Sequence, residues 1–101
     1  MRLSEFEIDT IKNTAREIWG EQATVYLFGS RIDDSEKGGD IDLYIHLDEE
    51  PDTKSLMIQK ASFLAMLEIL LGEQKIDLLI NTSYNTHLPI IKSAAEKGLA
   101  L

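Results

Sequence analysis

The stretch LFGSRIDDSEKGGDIDLYI, Leu27 to Ile45, decides how this chain folds. A β-branched and aromatic run from Thr24 to Phe28 reads as a strand and stops at Gly29-Ser30. Arg31 to Gly39 carries two glycines and no apolar period, which makes it a connecting loop. From Asp40 to Leu47 the residues alternate with period two. Ile41, Leu43, Ile45 and Leu47 share one face of a second strand, and Asp40, Asp42, Tyr44 and His46 share the other. With no helix between them, the two strands are expected to be antiparallel neighbours.

The rest of the chain builds outward from that pair. Ser4-Glu5-Phe6-Glu7 is a capping box, with Ser4 as N-cap and Glu7 reaching back. Phe6, Ile8, Ile11, Ala15, Ile18 and Trp19 follow at helical spacing, and Gly20 suits the stop. After Pro51 and Asp52 a helix is expected over Thr53–Leu71, ended by Gly72. Lys75 to Ile80 reads as a third strand with Asp77 inside it, and a last helix is expected over His87–Lys97. A strand–helix–strand unit implies a parallel crossover. The expectation is therefore an α/β fold, a small mixed β-sheet with flanking helices. With no repeat, low-complexity tract or linker, residues 1–101 read as one domain.

Composition narrows the function classes. The net charge is −8, and the ten Lys and Arg residues are scattered rather than clustered. A phosphate-binding surface needs them clustered, so nucleic acid is not expected as the main partner. Lys60, Glu68 and Glu73 interrupt the longest apolar run well short of the roughly 20 residues of a membrane span. Cysteine is absent, which excludes disulfides, thiolate catalysis and cysteine-bound zinc and fits the reducing cytoplasm. Met1-Arg2-Leu3-Ser4-Glu5 lacks the character of a signal peptide.

The chemistry sits where the aspartates are. Asp40 and Asp42, two apart on a strand, leave the same face about 7 Å apart at Cα. Like charges so placed need water or a cation to compensate them. Mg²⁺ is the natural compensator, because it takes one or two carboxylates and completes its shell with water and phosphate oxygens. Asp77 is a third candidate, as ligand or as base, since mid-strand aspartate is a poor β-former. A glycine such as Gly29 at a strand end lets a phosphate approach the backbone. The Ser30 hydroxyl and the Arg31 guanidinium could hold its oxygens. Each element alone has an ordinary explanation: a turn for Gly29-Ser30, a solvated strand face for Asp40 and Asp42, an edge position for Asp77. The combination at this spacing is what carries meaning.

Gly29-Ser30, nine residues, then Asp40-Ile41-Asp42 resembles the Gly-Ser…Asp-x-Asp signature of the nucleotidyltransferase superfamily that includes DNA polymerase β. The Phe28-Gly29-Ser30-Arg31 and Gly39-Asp40-Ile41-Asp42-Leu43 forms are most similar to its minimal nucleotidyltransferases. The resemblance covers residues from about 20 to 98. It implies the polymerase β-like fold, ATP as nucleoside triphosphate substrate, and two Mg²⁺ ions held by Asp40 and Asp42 with Asp77 as third carboxylate. Gly29 and Ser30 would fall on the triphosphate. Many minimal members pair with a helical HEPN-class protein, as antitoxin to an RNase toxin, and transfer AMP to a partner tyrosine. The resemblance thus implies a toxin–antitoxin role by AMPylation. Two rivals stand beside it: a catalytic subunit whose partner binds a small acceptor, and a catalytically silent module that neutralises its partner by contact.

Other residues read more simply. Trp19, Tyr26 and Tyr44 suit packing, His46 a solvated strand position, and His87 the flank of the last helix. The Thr53–Leu71 helix is apolar nearly all round. Such a helix is buried on more than one side, either between the sheet and the last helix or against a protein partner, including a second copy.

Overall fold

The computed structural model describes residues 3–28, 41–82 and 88–101. Its elements run α1 (Glu5–Trp19), a 3₁₀ turn (Gly20–Gln22), β1 (Ala23–Phe28), β2 (Ile41–Leu47), α2 (Thr53–Leu71), β3 (Ile76–Ile80), α3 (Pro89–Lys97) and β4 (Leu99–Ala100). The capping box forms at α1: Glu7 N donates to Ser4 Oγ at 3.1 Å, and Ser4 N donates to Glu7 Oε1 at 3.0 Å. Gly20 and Gly72 end α1 and α2 at φ of 80° and 84°, a region that favours glycine. The helix expected from His87 starts at Pro89; His87 itself lies outside the described residues.

The four strands form one mixed sheet in the order β3-β2-β1-β4. β1 and β2 pair antiparallel, with Phe28 opposite Asp42 and Ala23 opposite Leu47. β2 and β3 pair parallel through the α2 crossover, as the strand–helix–strand pattern requires. β4 is an addition to the sequence reading: it pairs antiparallel with β1 across Tyr26 and Leu27. Only two residues long, it gives the sequence no period to show.

The alternation in β2 sorts the layers. Ile41, Leu43, Ile45 and Leu47 are buried beneath α1 and α2, with Ile11, Ala15 and Trp19 from one helix and Phe63 and Leu67 from the other. Phe6, expected with them, is exposed, because it falls outside the stripe that Ile11, Ala15 and Trp19 turn inward. Tyr44 points to the opposite face and is buried there against Ile91 of α3, flanked by Tyr26, Phe28 and Leu79. The last helix therefore covers the far side of the sheet and does not sandwich α2. Only Phe63 and Leu67 of α2 are buried, while Met57, Ile58, Ile69 and Leu70 stay exposed.

Polar bonds lock these layers. Trp19 Nε1 donates to Gln59 Oε1 at 2.9 Å, tying α1 to α2 beside the Trp19–Phe63 ring contact at 5.3 Å. Asn81 extends β3 with its side chain: its Oδ1 accepts from Leu47 N at 2.7 Å and its Nδ2 donates to Leu47 O at 3.1 Å. The amide thereby imitates one more backbone rung of the sheet. Among the described residues no helix is long and apolar enough to cross a membrane.

Candidate active site

The α3 face of the sheet carries Asp42, Tyr44 and His46 from β2 with Asp77 and Leu79 from β3. Asp42 and Asp77 are direct partners in the parallel register. Neighbouring strands lie about 4.8 Å apart, and paired residues point to the same face. The fold thus sets two carboxylates side by side, Asp42 half-buried and Asp77 exposed. Like charges opposite one another in a sheet destabilise it unless they are compensated. On the other side of Asp42 stands Phe28, the last residue of β1.

Of the six residues singled out by sequence, these two are brought together. Asp40, Gly29, Ser30 and Arg31 lie outside the described residues. In sequence, Gly29 follows Phe28 and Asp40 precedes Ile41. Ile41 is held at β3 by its N–H, which donates to Lys75 O at 2.9 Å. That bond fixes the register at the first residue of β2, one position before Asp42.

Among the described residues no group of three His, Cys, Asp or Glu side chains could hold a metal ion. The paired oxygen donors of Asp42 and Asp77 nevertheless suit a hard cation such as Mg²⁺, which needs only one or two carboxylates. Among the described residues, imidazole and thiolate, which softer metals favour, do not join the pair. His46 lies two residues further along β2 than Tyr44, where its Nδ1 meets the Tyr44 hydroxyl at 3.2 Å and its Nε2 stands 3.7 Å from Asp48 Oδ1. That geometry draws it away from Asp42.

The aromatic floor beside the aspartates is what sequence reading left as packing. Tyr26 and Tyr44 stack with centroids 5.7 Å apart and planes 28° from parallel. Burial pushes the Tyr44 hydroxyl above its ordinary pKa, and the neighbouring Tyr26 adds to the shift. Tyr44 thus stays a neutral, rigid wall behind Asp42. Its signal in the sequence was its place on the aspartate face of an alternating strand, but only the position of α3 shows that this face is covered there.

Two grooves among the described residues lie away from the aspartate pair. One of about 250 Å³ runs between α2 and β3, lined by Leu56, Met57, Lys60, Leu78, Leu79 and Ile80. The other, of about 100 Å³, sits by Lys12, Arg16 and Thr24, at the end of β1 far from Phe28.

A family model described as polymerase beta, nucleotidyltransferase matches residues 9–101. No curated protein matches the chain.

Proposed function

From the premise that this chain belongs to the polymerase β nucleotidyltransferase family, we propose that it transfers AMP from ATP to a hydroxyl of a helical, HEPN-type protein partner, as the antitoxin of a toxin–antitoxin pair. The observation that carries the reading is the register of Asp42 against Asp77, two carboxylates that a bare sheet would have reason to separate.

In this reading Asp40 and Asp42 hold Mg²⁺, with Asp77 completing the carboxylate set. When bound, the cation neutralises the triphosphate and polarises its α-phosphoryl group. Gly29 offers open backbone to the phosphates, and Ser30 and Arg31 donate hydrogen bonds to their oxygens. The acceptor oxygen forms the new bond to the α-phosphorus, the bond to the departing pyrophosphate breaks, and the hydroxyl proton passes to the Asp77 carboxylate. The exposure of Asp77 supports that role, because an acceptor carried by another protein must reach it from outside.

Incubation of the chain and its partner with ATP labelled at the α-phosphate tests the proposal. The expected result is label on a partner hydroxyl, with a mass increment of one or more nucleoside monophosphates, dependent on Mg²⁺. Neutralisation of the partner with no increment on either protein would replace the enzyme by a binding module. Label on a small molecule would replace the protein acceptor.

A further inference from the structure

One more chemistry-bearing side chain belongs to the face that holds the aspartates. Ile41 N–H donates to Lys75 O at 2.9 Å, so the parallel ladder begins one residue before β3 itself. Along this run Leu78 and Ile80 are buried in the core beneath the helices, while Leu79 packs on the other face with Tyr44 and Ile91. Period two therefore sets Lys75 with Asp77 and Leu79 on the α3 face. Lys75 and Asp77 are both exposed. Two residues apart on an extended chain, their Cα atoms are separated by about 6.6 Å, a span that a four-carbon stem crosses. β1, β2 and β3 contain no Lys or Arg, so within the described sheet Lys75 is what brings a cation to this face.

The strand order divides the site into two sides. Phe28, the residue before Gly29, stands beside Asp42 on β1, and Asp77 stands beside it on β3. Among the described residues β3 is an edge of the sheet, with β2 on its inner side. In the reaction proposed above, the phosphates belong to Gly29 and Ser30, and the acceptor hydroxyl gives its proton to Asp77. Lys75 shares a strand with Asp77 and so falls on the acceptor's side. There an oxygen must gain negative charge beside two carboxylates, whose field opposes it. A positively charged hydrogen-bond donor aimed at that oxygen offsets the cost.

We propose that Lys75 is the acceptor-side catalytic cation of this site, an inference that rests on the transfer reaction proposed above. Its ammonium donates a hydrogen bond to the acceptor oxygen while Asp77 accepts the proton that oxygen loses. The oxygen bonds to the α-phosphorus, the bond to pyrophosphate breaks, and Lys75 keeps all its own protons. An ammonium on a flexible stem suits the task, because it can follow an oxygen that a partner protein carries in past the edge of β3.

Steady-state transfer to the partner, with ATP varied at saturating Mg²⁺, tests the assignment in Lys75→Met and Lys75→Arg. Lys75 is exposed, so both variants are expected to fold. Lys75→Met should lower kcat about 10²-fold. Its KM for ATP, and the melting shift produced by Mg²⁺ with ATP, should match those of the wild type. Lys75→Arg keeps the charge and the donors and should recover most of the loss. An unchanged kcat in Lys75→Met overturns the assignment, even if that variant melts earlier. So does a raised KM for ATP with a smaller melting shift, which would move Lys75 onto the phosphates. A wild-type chain that transfers no nucleotide removes the reaction itself and this role with it. A wild type that transfers beside an indifferent Lys75→Met removes the role of Lys75 alone.

Discussion

Asp42 on β2 stands beside Asp77 on β3, joined by strand register although the whole of α2 separates them in sequence. Neutralising either one removes a like-charge contact across the sheet. Asp77→Asn is therefore expected to keep the fold and to raise stability by up to about 1 kcal/mol in the absence of divalent metal. Nucleotide transfer should fall by orders of magnitude in the same variant. Thermal melts paired with a label-transfer assay read both. A variant that melts earlier and transfers normally would deny the pair its role.

Added Mg²⁺ should stabilise the wild-type chain, since a cation bound only by the folded state shifts unfolding by mass action. The shift is expected to vanish in Asp42→Asn. Melts with Mg²⁺ alone, and again with ATP, separate the metal from the nucleotide.

Phe63 is fully buried between the sheet and α1. Phe63→Ala should cost about 3–5 kcal/mol, a large part of the stability of so small a domain. Urea unfolding followed by the fluorescence of Trp19, whose ring lies 5.3 Å from Phe63, measures it. The midpoint should fall with little change in slope.

Asp52 caps α2: Ser55 N donates to its Oδ1 and Ser55 Oγ to its Oδ2, each at 2.9 Å. The backbone bond from Ser55, foremost, holds its carboxyl below the usual range. Its contribution is then full above the ordinary carboxylate pKa and is lost as pH falls through the lowered value. The stability gap between wild type and Asp52→Asn should narrow between neutral pH and about pH 3. Melting curves across that window check the sign.

Burial acts in the opposite direction on Tyr44. Its stabilising effect is full below the ordinary tyrosine value and disappears as pH rises through the raised one. The chain has three tyrosines. Tyrosinate absorbance should show a late step from Tyr44, and Tyr44→Phe should remove it.

Much of this architecture could be read from residue order. The capping box, Gly20 and Gly72, and the period-two run of β2 carry local signals, and α2 falls on Thr53–Leu71 as expected. The antiparallel and parallel pairings follow from what lies between the strands. What could not be read was long-range. Period two sets Asp42 and Asp77 on faces of their own strands, but no spacing says that they meet. β4 is too short to show a period, and Phe6 fits the α1 pattern in sequence while pointing away from the core. The apolar surround of α2 was visible; that α3 goes to the other side of the sheet was not.

The parallel pairing of β2 with β3 has a consequence for how the chain acquires its chemistry. β1 and β2 can associate as soon as both have been synthesised, but Asp77 reaches Asp42 only after α2 has wrapped back and β3 has docked. Closing so long a connection is entropically slow compared with making the neighbouring antiparallel contacts. The Asp42–Asp77 pairing is thus expected to form late in folding, after the β1–β2 contacts. Pulsed hydrogen exchange should find the β1–β2 amides protected before those of Ile76–Ile80. A newly made chain would be inert until its last parallel rung closes, so its activity would mark completed folding.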